Sequence, residues 1–299
     1  MRQDFDAYSR MQASTSDLFP QIIYGVVVVV VIYLVYMGIE MIWRVVNDYS
    51  NVRISVYPFT GSDSRTFTQD PTNPNSVYLP ISQNQLTGIE FSYCLFVYID
   101  DATFANNVAP QSWSTIFYKG YESGPFPLCG PGVFASTDRQ NNPVLRIVMN
   151  SYNGWFNKVD VPQIPVKKWF HLALVMSANN TLNVYINGNL ATKLVLDGTI
   201  AYQNYQSLNV LPMIKTQTIT HFDNSTSTDK PLRGIPAGET FVINGPIKGF
   251  VSNIVYYSYA IGYAEIQANV NAGPSTQMDT SSMAMPPYLI DTWWTQQRV

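Results

Sequence analysis

Trp169-Phe170-His171-Leu172-Ala173-Leu174-Val175-Met176, followed after Asn179-Asn180 by Leu182-Asn183-Val184-Tyr185-Ile186-Asn187-Gly188, decides the fold class. Phe170, Leu172, Leu174 and Met176 alternate with His171, Ala173 and Val175, and Leu182, Val184 and Ile186 alternate with Asn183, Tyr185 and Asn187. A period of two belongs to a β-strand, whose successive side chains leave opposite faces. Asn179-Asn180 joins the runs as a tight hairpin. Asn187-Gly188 is a type I′ turn signal, because that turn needs positive φ at both central residues. It leads into Leu194-Val195-Leu196, so three successive strands form a meander.

The same grammar extends in both directions. Phe91–Ile99 is apolar on both alternations, as expected of a central strand covered on both faces. Further strands are expected at 114–118, 132–135, 144–150, 208–211, 240–243 and 249–259, with one short helix at 263–270. Many strands and almost no helix imply an all-β sandwich or jelly roll. The stretch 215–238 holds few apolar residues and is expected to be a long surface loop.

Ahead of these strands the pattern changes. No charged residue occurs from Phe19 to Ile39, and the centre is six consecutive valines, Val26 to Val31. An unpaired backbone group costs several kcal/mol in lipid, so such a segment closes its hydrogen bonds internally as a helix. The expected membrane anchor includes Ile22, Tyr24, Val26, Val31, Tyr33, Tyr36 and Trp43. Helical rise puts the rings of Tyr24 and Trp43 roughly 28 Å apart, matching a hydrocarbon layer of about 30 Å. The run exceeds the apolar stretch of a cleaved signal peptide, and Glu40-Met41-Ile42-Trp43-Arg44 is no cleavage site. Arg2 and Arg10 before the helix balance Arg44 and Arg53 after it, so orientation stays open. Tyr33, Tyr36, Glu40 and Arg44 share one side of the helix. Glu40 and Arg44 either pair with each other or contact a neighbouring protein. The expected layout is an N-terminal tail (1–20), a transmembrane helix (21–46), a β domain (47–273) and a C-terminal docking tail (274–299).

Charged residues are 12% of the chain, against roughly 25% in ordinary soluble proteins, and the net charge is −3. With no cationic cluster beyond Lys167-Lys168, nucleic acid is excluded as a partner. Cys94 and Cys129 are too few for a disulfide framework or a cysteine-based zinc site; a single bridge between them is geometrically possible but not indicated, and free buried thiols are favoured. No cofactor is expected.

The Trp169–Val175 and Leu182–Gly188 segments resemble the central signature of laminin G-like, concanavalin A-like jelly rolls. Gly88-Ile89-Glu90-Phe91-Ser92-Tyr93 resembles an early central strand of that family. Gly249-Phe250-Val251, through Tyr263-Ala264-Glu265-Ile266, resembles its closing strand and helix. The resemblance implies a concanavalin A-like jelly-roll sandwich over about residues 55–272. The layout of anchor, Gln69-Asp70-Pro71 lead-in, jelly roll and Pro286-Pro287-Tyr288-Leu289 tail is similar to membrane-anchored minor capsid proteins of large icosahedral DNA viruses, the chlorella viruses among them. That similarity implies a structural protein of the virion inner membrane, with its domain facing the capsid and with the lipid bilayer and other capsid or membrane proteins as partners. The jelly roll alone implies instead a lectin-like surface module for glycans or a protein receptor.

Chemistry is sparse. Glycoside hydrolysis needs two carboxylates flanking the scissile bond. Glu90 stands alone, Asp100-Asp101 are adjacent and so point apart, and Glu265 belongs to the short helix, so no catalytic residue is assigned. Asp100-Asp101 is a solvated strand end, or the rim at which laminin G-like domains sometimes hold Ca²⁺. His171 is expected to be a packed, hydrogen-bonded core histidine. Trp113, Trp155, Tyr202 and Tyr205 are candidates for an exposed recognition surface or for packing at sandwich edges. Asn179 and Asn224 head glycosylation sequons in expected loops. Tyr288, Trp293 and Trp294 give the tail docking groups, for its own domain or for a neighbour.

Overall fold

The computed structural model describes residues 22–42, 52–73, 76–82, 89–105, 112–121, 128–152, 154, 156–196, 200–213, 217–220 and 240–279. The chain divides into two compact units, 1–51 and 52–299. In the first, Ile22–Ile42 forms helix α1, long and apolar enough to cross a membrane. Ile22, Tyr24, Val26, Val31, Tyr33 and Tyr36 are all exposed along it. A helix hydrophobic all round is stable only against protein or lipid. Trp43 and Arg44, the expected ends of the anchor's ring belt and polar stripe, lie outside the described residues.

The second unit is a sandwich of two sheets. Its strands are β1 (Arg53–Gly61), β2 (Arg65–Phe67), β3 (Phe91–Ile99), β4 (Ser112–Tyr121), β5 (Leu128–Thr137), β6 (Pro143–Met149) and β7 (Asn157–Pro162). There follow β8 (Trp169–Ser177), β9 (Thr181–Ile186), β10 (Asn189–Val195), β11 (Leu208–Val210), β12 (Gln217–Thr220), β13 (Thr240–Pro246), β14 (Gly249–Tyr257) and helix α2 (Tyr263–Ala272). One sheet has six strands in the order β1-β14-β3-β8-β9-β10. The other runs β12-β13-β4-β5-β6-β7, with β11 pairing both β2 and β4. Pairings are antiparallel except β13 with β4. This is a jelly-roll-like sandwich, preceded by an apolar helix that could cross a membrane.

The meander forms as its residues dictate. Asn180 takes φ 56° between β8 and β9, and Asn187 and Gly188 take φ 49° and 79° between β9 and β10. Asn187 Oδ1 also accepts from the His171 amide at 2.8 Å, tying the turn to β8. β3 lies between β14 and β8, buried on both faces. Four strands go beyond the sequence expectation. β12 lies inside the stretch expected to be loop, since Gln217–Thr220 pairs with β13 in spite of its polar composition. β7 shows only Val159 and Val161 as an apolar alternation, and β1 carries Pro58 and two register irregularities that hide its period. β2 has three residues, too few for a period to show.

Both alternations of the central strands are apolar because both sheet faces are covered. Phe91, Tyr93, Leu95, Val97, Phe170, Leu172 and Leu174 meet Ile116, Phe117, Val133, Leu145 and Ile147 between the sheets. Burying each such side chain stabilises by roughly 1.5–3 kcal/mol. On the outside of the six-stranded sheet, Cys94, Ala173, Val175, Val255 and Tyr257 pack with Ile261 and Ile266 of the α2 region. On the outside of the other sheet, Trp113, Phe134, Val148, Phe156 and Phe241 form a third cluster.

Gly273, with φ 71°, ends α2. The following residues cross β14 onto β1: Ser275 N donates to Ser252 Oγ at 2.8 Å, Thr60 N to Gln277 O at 2.8 Å, and Asp279 N to Thr60 O at 2.8 Å. Tyr57 Oη donates to Asp279 Oδ2 at 2.8 Å, and Arg65 pairs with the same carboxylate at 2.9 Å. Thus residues 275–279, the start of the expected tail, lie against the edge strand. Tyr288, Trp293 and Trp294 lie outside the described residues.

Candidate binding site

Several described acidic side chains of the sandwich hold backbone, turns or cations in place. Glu90 Oε1 accepts from the Ala178 amide at 3.1 Å, closing β3 onto the β8–β9 turn. Asp100 Oδ1 accepts from Ala102 N at 2.9 Å and caps a single 3-10 turn, while Asp101 pairs with Lys167. Asp160 takes both Arg146 Nε and Nη2 at 2.7 Å, a bidentate arrangement. Glu265 accepts from Gly262 N at 3.0 Å and from Tyr259 Oη at 2.6 Å, fixing the start of α2. Asp70 and Asp138 close turns on Thr72 and Asn142, which holds both carboxyls below their usual range. Among the described residues no three His, Cys, Asp or Glu side chains gather as a metal site.

His171 is buried at 1% exposure, edge-on to Phe96 with ring centroids 5.0 Å apart. Contrary to the hydrogen-bonded ring expected, neither of its ring nitrogens has a partner. Burial without compensation penalises the imidazolium and pulls its pKa to about 4. His221 lies outside the described residues. Cys94 and Cys129 are both free and buried. Burial pushes the Cys94 thiol up to about 12, so it is inert as a nucleophile at neutral pH.

Trp113 belongs to the buried set, at 2% exposure, with the Arg146 guanidinium 4.0 Å above its ring. It therefore offers no recognition surface. Trp155 lies outside the described residues. Tyr202 is half-buried and packs edge-on against exposed Tyr152 at 5.2 Å, and Tyr205 is 72% exposed. Asn179 is exposed at the β8–β9 turn, and Asn224 lies outside the described residues. Sequence reasoning passed over a further trio on the six-stranded sheet. Tyr98 lies opposite Trp169 and Phe250 on neighbouring strands, and the three rings close into a half-buried knot with centroids 5.7–6.5 Å apart. Their mutual tilts of 40–61° present no shared flat face.

An open polar hollow lies elsewhere, where β2, β11 and the end of β4 meet, apart from the more apolar hollow of about 410 Å³ between residues 56–59, Phe67 and Met278. The polar hollow, of about 380 Å³, is lined by Ser64, Thr66, Tyr118, Tyr121, Gln206, Ser207 and Asn209, with Pro212 and Met213 at one side. Its polar groups are held in place. Thr66 Oγ1 donates to Asn209 Oδ1 at 3.0 Å, and Asn209 Nδ2 reaches the carbonyls of Gly120 and Ser207, each at 3.4 Å. Gly120 N donates to Ser207 O at 3.0 Å. Gly120 sits at φ 156° against the Leu128 carbonyl, where a side chain would collide. Beneath the loop, buried Lys119 donates from Nζ to the carbonyls of Asn204 and Gln206, and Asn204 Nδ2 returns a bond to Lys119 O at 3.0 Å. Desolvation lowers the Lys119 pKa to about 8. A lone lysine in the apolar run of β4 was the signal for this support, and the lining residues carry none, since hydroxyls and amides are common throughout this chain.

A family model described as the concanavalin A-like lectin/glucanases superfamily matches residues 73–211. No curated protein matches the sequence. Among solved structures, the botulinum neurotoxin serotype D binding domain is similar at 10% identity and a TM-score of 0.42, covering 75% of this chain and 43% of that one. A heptameric SAP-like pentraxin from Limulus polyphemus is similar at 11% identity and 0.38, covering 77% and 87%. Trypanosoma rangeli sialidase is similar at 16% identity and 0.35, covering 61% of this chain and 22% of its own. The chain thus spans less than half of the neurotoxin and sialidase chains.

Proposed function

We propose that this chain is a non-enzymatic, membrane-anchored structural protein, a minor capsid protein that tethers the inner membrane of a large DNA virus to its shell. The observation that carries this reading is the pairing of an apolar helix of spanning length with a domain in which Glu90, Asp100, Asp160 and Glu265 serve backbone amides, an ion pair and turns. Catalysis by glycoside hydrolysis requires a free acid and a free base or nucleophile at fixed separation. Here such groups serve the scaffold. Three apolar clusters make the domain a stiff body, suited to transmit position from lipid to a protein lattice. The low charge of the chain suits extensive contacts with neighbours, whose buried centres are depleted of charge.

Stepwise stripping of purified virions tests the reading. The chain is expected to stay with the internal membrane after the outer shell is removed, whereas release with the first surface layer would contradict a tether. Asn179 provides a second readout. A domain facing the capsid from the cytosolic side carries no glycan there, so glycosidase treatment leaves the mass unchanged.

The polar hollow beside Tyr121 favours a second reading, a lectin-like module that recognises a glycan or a receptor from the membrane. Selective binding on a glycan array by the full chain would raise it above the first.

A further inference from the structure

The hollow between β2, β11 and β4 is built from neutral hydrogen-bonding groups. Its volume of about 380 Å³ stands at the lower end of the roughly 300–1,000 Å³ typical of small-ligand pockets. Gln206 carries a planar amide that can donate and accept, and Ser64 and Ser207 add hydroxyls able to do either, while Asn209 Oδ1 and Thr66 Oγ1, their hydrogens already committed, can still accept. Tyr121, 56% exposed at the end of β4, sets an aromatic ring at the rim. Among the described residues the lining holds no acidic or basic side chain. Beneath it, Lys119 is buried and directed to the Asn204 and Gln206 carbonyls. A carboxylate or phosphate entering the hollow would lose hydration without meeting a positive partner among the described lining residues, at a cost of several kcal/mol.

We infer that this hollow is a binding site for a neutral saccharide, with the Gln206 amide donating to and accepting from ring hydroxyls, Asn209 Oδ1 accepting from one, and Tyr121 packing on a C–H face. The chemistry fits on three counts. Sugar hydroxyls act as donor and acceptor together, which amides and hydroxyls match and single-purpose charges do not. The C–H face of a pyranose is apolar, so an exposed ring beside amides provides the two surfaces such a ligand presents. The polar wall is also pre-ordered: Thr66 holds Asn209, Asn209 holds the Gly120 and Ser207 carbonyls, and Lys119 clamps the loop that carries Gln206. Binding therefore costs little ordering of the protein. The tilted knot of Tyr98, Trp169 and Phe250 lacks both the amides and the flat face, and serves as an internal control.

This inference gives the second functional reading a location and stands apart from the first. The full chain in phospholipid nanodiscs, free of sugar detergents, would be titrated with neutral gluco-, galacto-, manno- and xylo-oligosaccharides and with sialyllactose, followed by saturation-transfer NMR and calorimetry. At least one neutral sugar is expected to bind, with sialyllactose no tighter than lactose. Tyr121→Ala and Gln206→Ala, both at exposed positions, are expected to weaken binding about tenfold each, and Trp169→Ala to leave it unchanged. The proposal is overturned if no neutral sugar binds at tens of millimolar, if only the sialylated sugar binds, or if the Tyr121 and Gln206 variants bind as the parent does. A chain that fails this test and still remains with the inner membrane of stripped virions removes the saccharide site alone, and leaves the tether standing.

Discussion

On the outer face of the six-stranded sheet, Cys94, Ala173, Val175 and Val255 lie in one cluster with Ile266 of α2. On the flank of β2, β11 and β4, by contrast, Ser64, Thr66, Ser207 and Asn209 surround an open hollow. The first surface is closed by the chain itself: α2 covers one end, and residues 275–279 cross β14 to reach β1. The second keeps its hydrogen-bonding groups aligned by neighbours but leaves room in front of them. The difference teaches where this fold places stability and where it leaves capacity for recognition. Apolar side chains on both faces of β3 and β8 make the scaffold, and short polar side chains on β2 and β11 add little to it.

Substitutions can break that contrast. The largest expected effect is Ile266→Asp, which puts a carboxylate into the cluster under α2. Loss of about 4 kcal/mol of unfolding free energy is expected, seen as a large drop in denaturation midpoint. Next comes pH. His171 is neutral in the fold with its pKa near 4, while an unfolded histidine titrates near 6.5. Because the unfolded chain takes up the proton first, the stability is complete above about pH 6.5 and is lost as pH falls towards 4, on the order of 3 kcal/mol. Denaturation curves at stepped pH should show that slope in the parent and lose it in His171→Phe, which fills the space without the orphaned nitrogens. Gly188→Ala strains the positive φ of the β9–β10 turn and pushes against Gln267, for a loss of about 1 kcal/mol by the same assay. Tyr121→Ala on the open flank is the smallest, within about 0.5 kcal/mol of the parent. A large loss there would mean that the flank supports the fold after all.

Much of the scaffold was legible because it rests on period and turn chemistry. Phe170 to Met176 and Leu182 to Ile186 announce strands by alternation, and Asn187-Gly188 announces the turn by its φ requirement. β3 announces its central place through a run apolar on both faces. β1 and β12 were hidden for physical reasons: Pro58 and bulges break the period of the first, and Thr218 and Thr220 make the second as polar as a loop. The site was largely illegible. In sequence Trp113 reads equally as an exposed platform or as edge packing, and it lies buried under Arg146. Nothing in the spacing of Thr66, Tyr121, Gln206 and Asn209 shows that pairing of β11 with both β2 and β4 gathers them. Such a hollow is a product of topology, and topology is the level at which a period of two falls silent.

On the proposed reading, α1 holds the β domain to a bilayer. Alkaline carbonate extraction of membranes carrying the full chain tests it most directly, beside a variant with Val28, Val29 and Val30 replaced by aspartate. The account predicts that the parent stays with the membrane pellet and the variant moves to the supernatant. Release of the parent into the supernatant would contradict it.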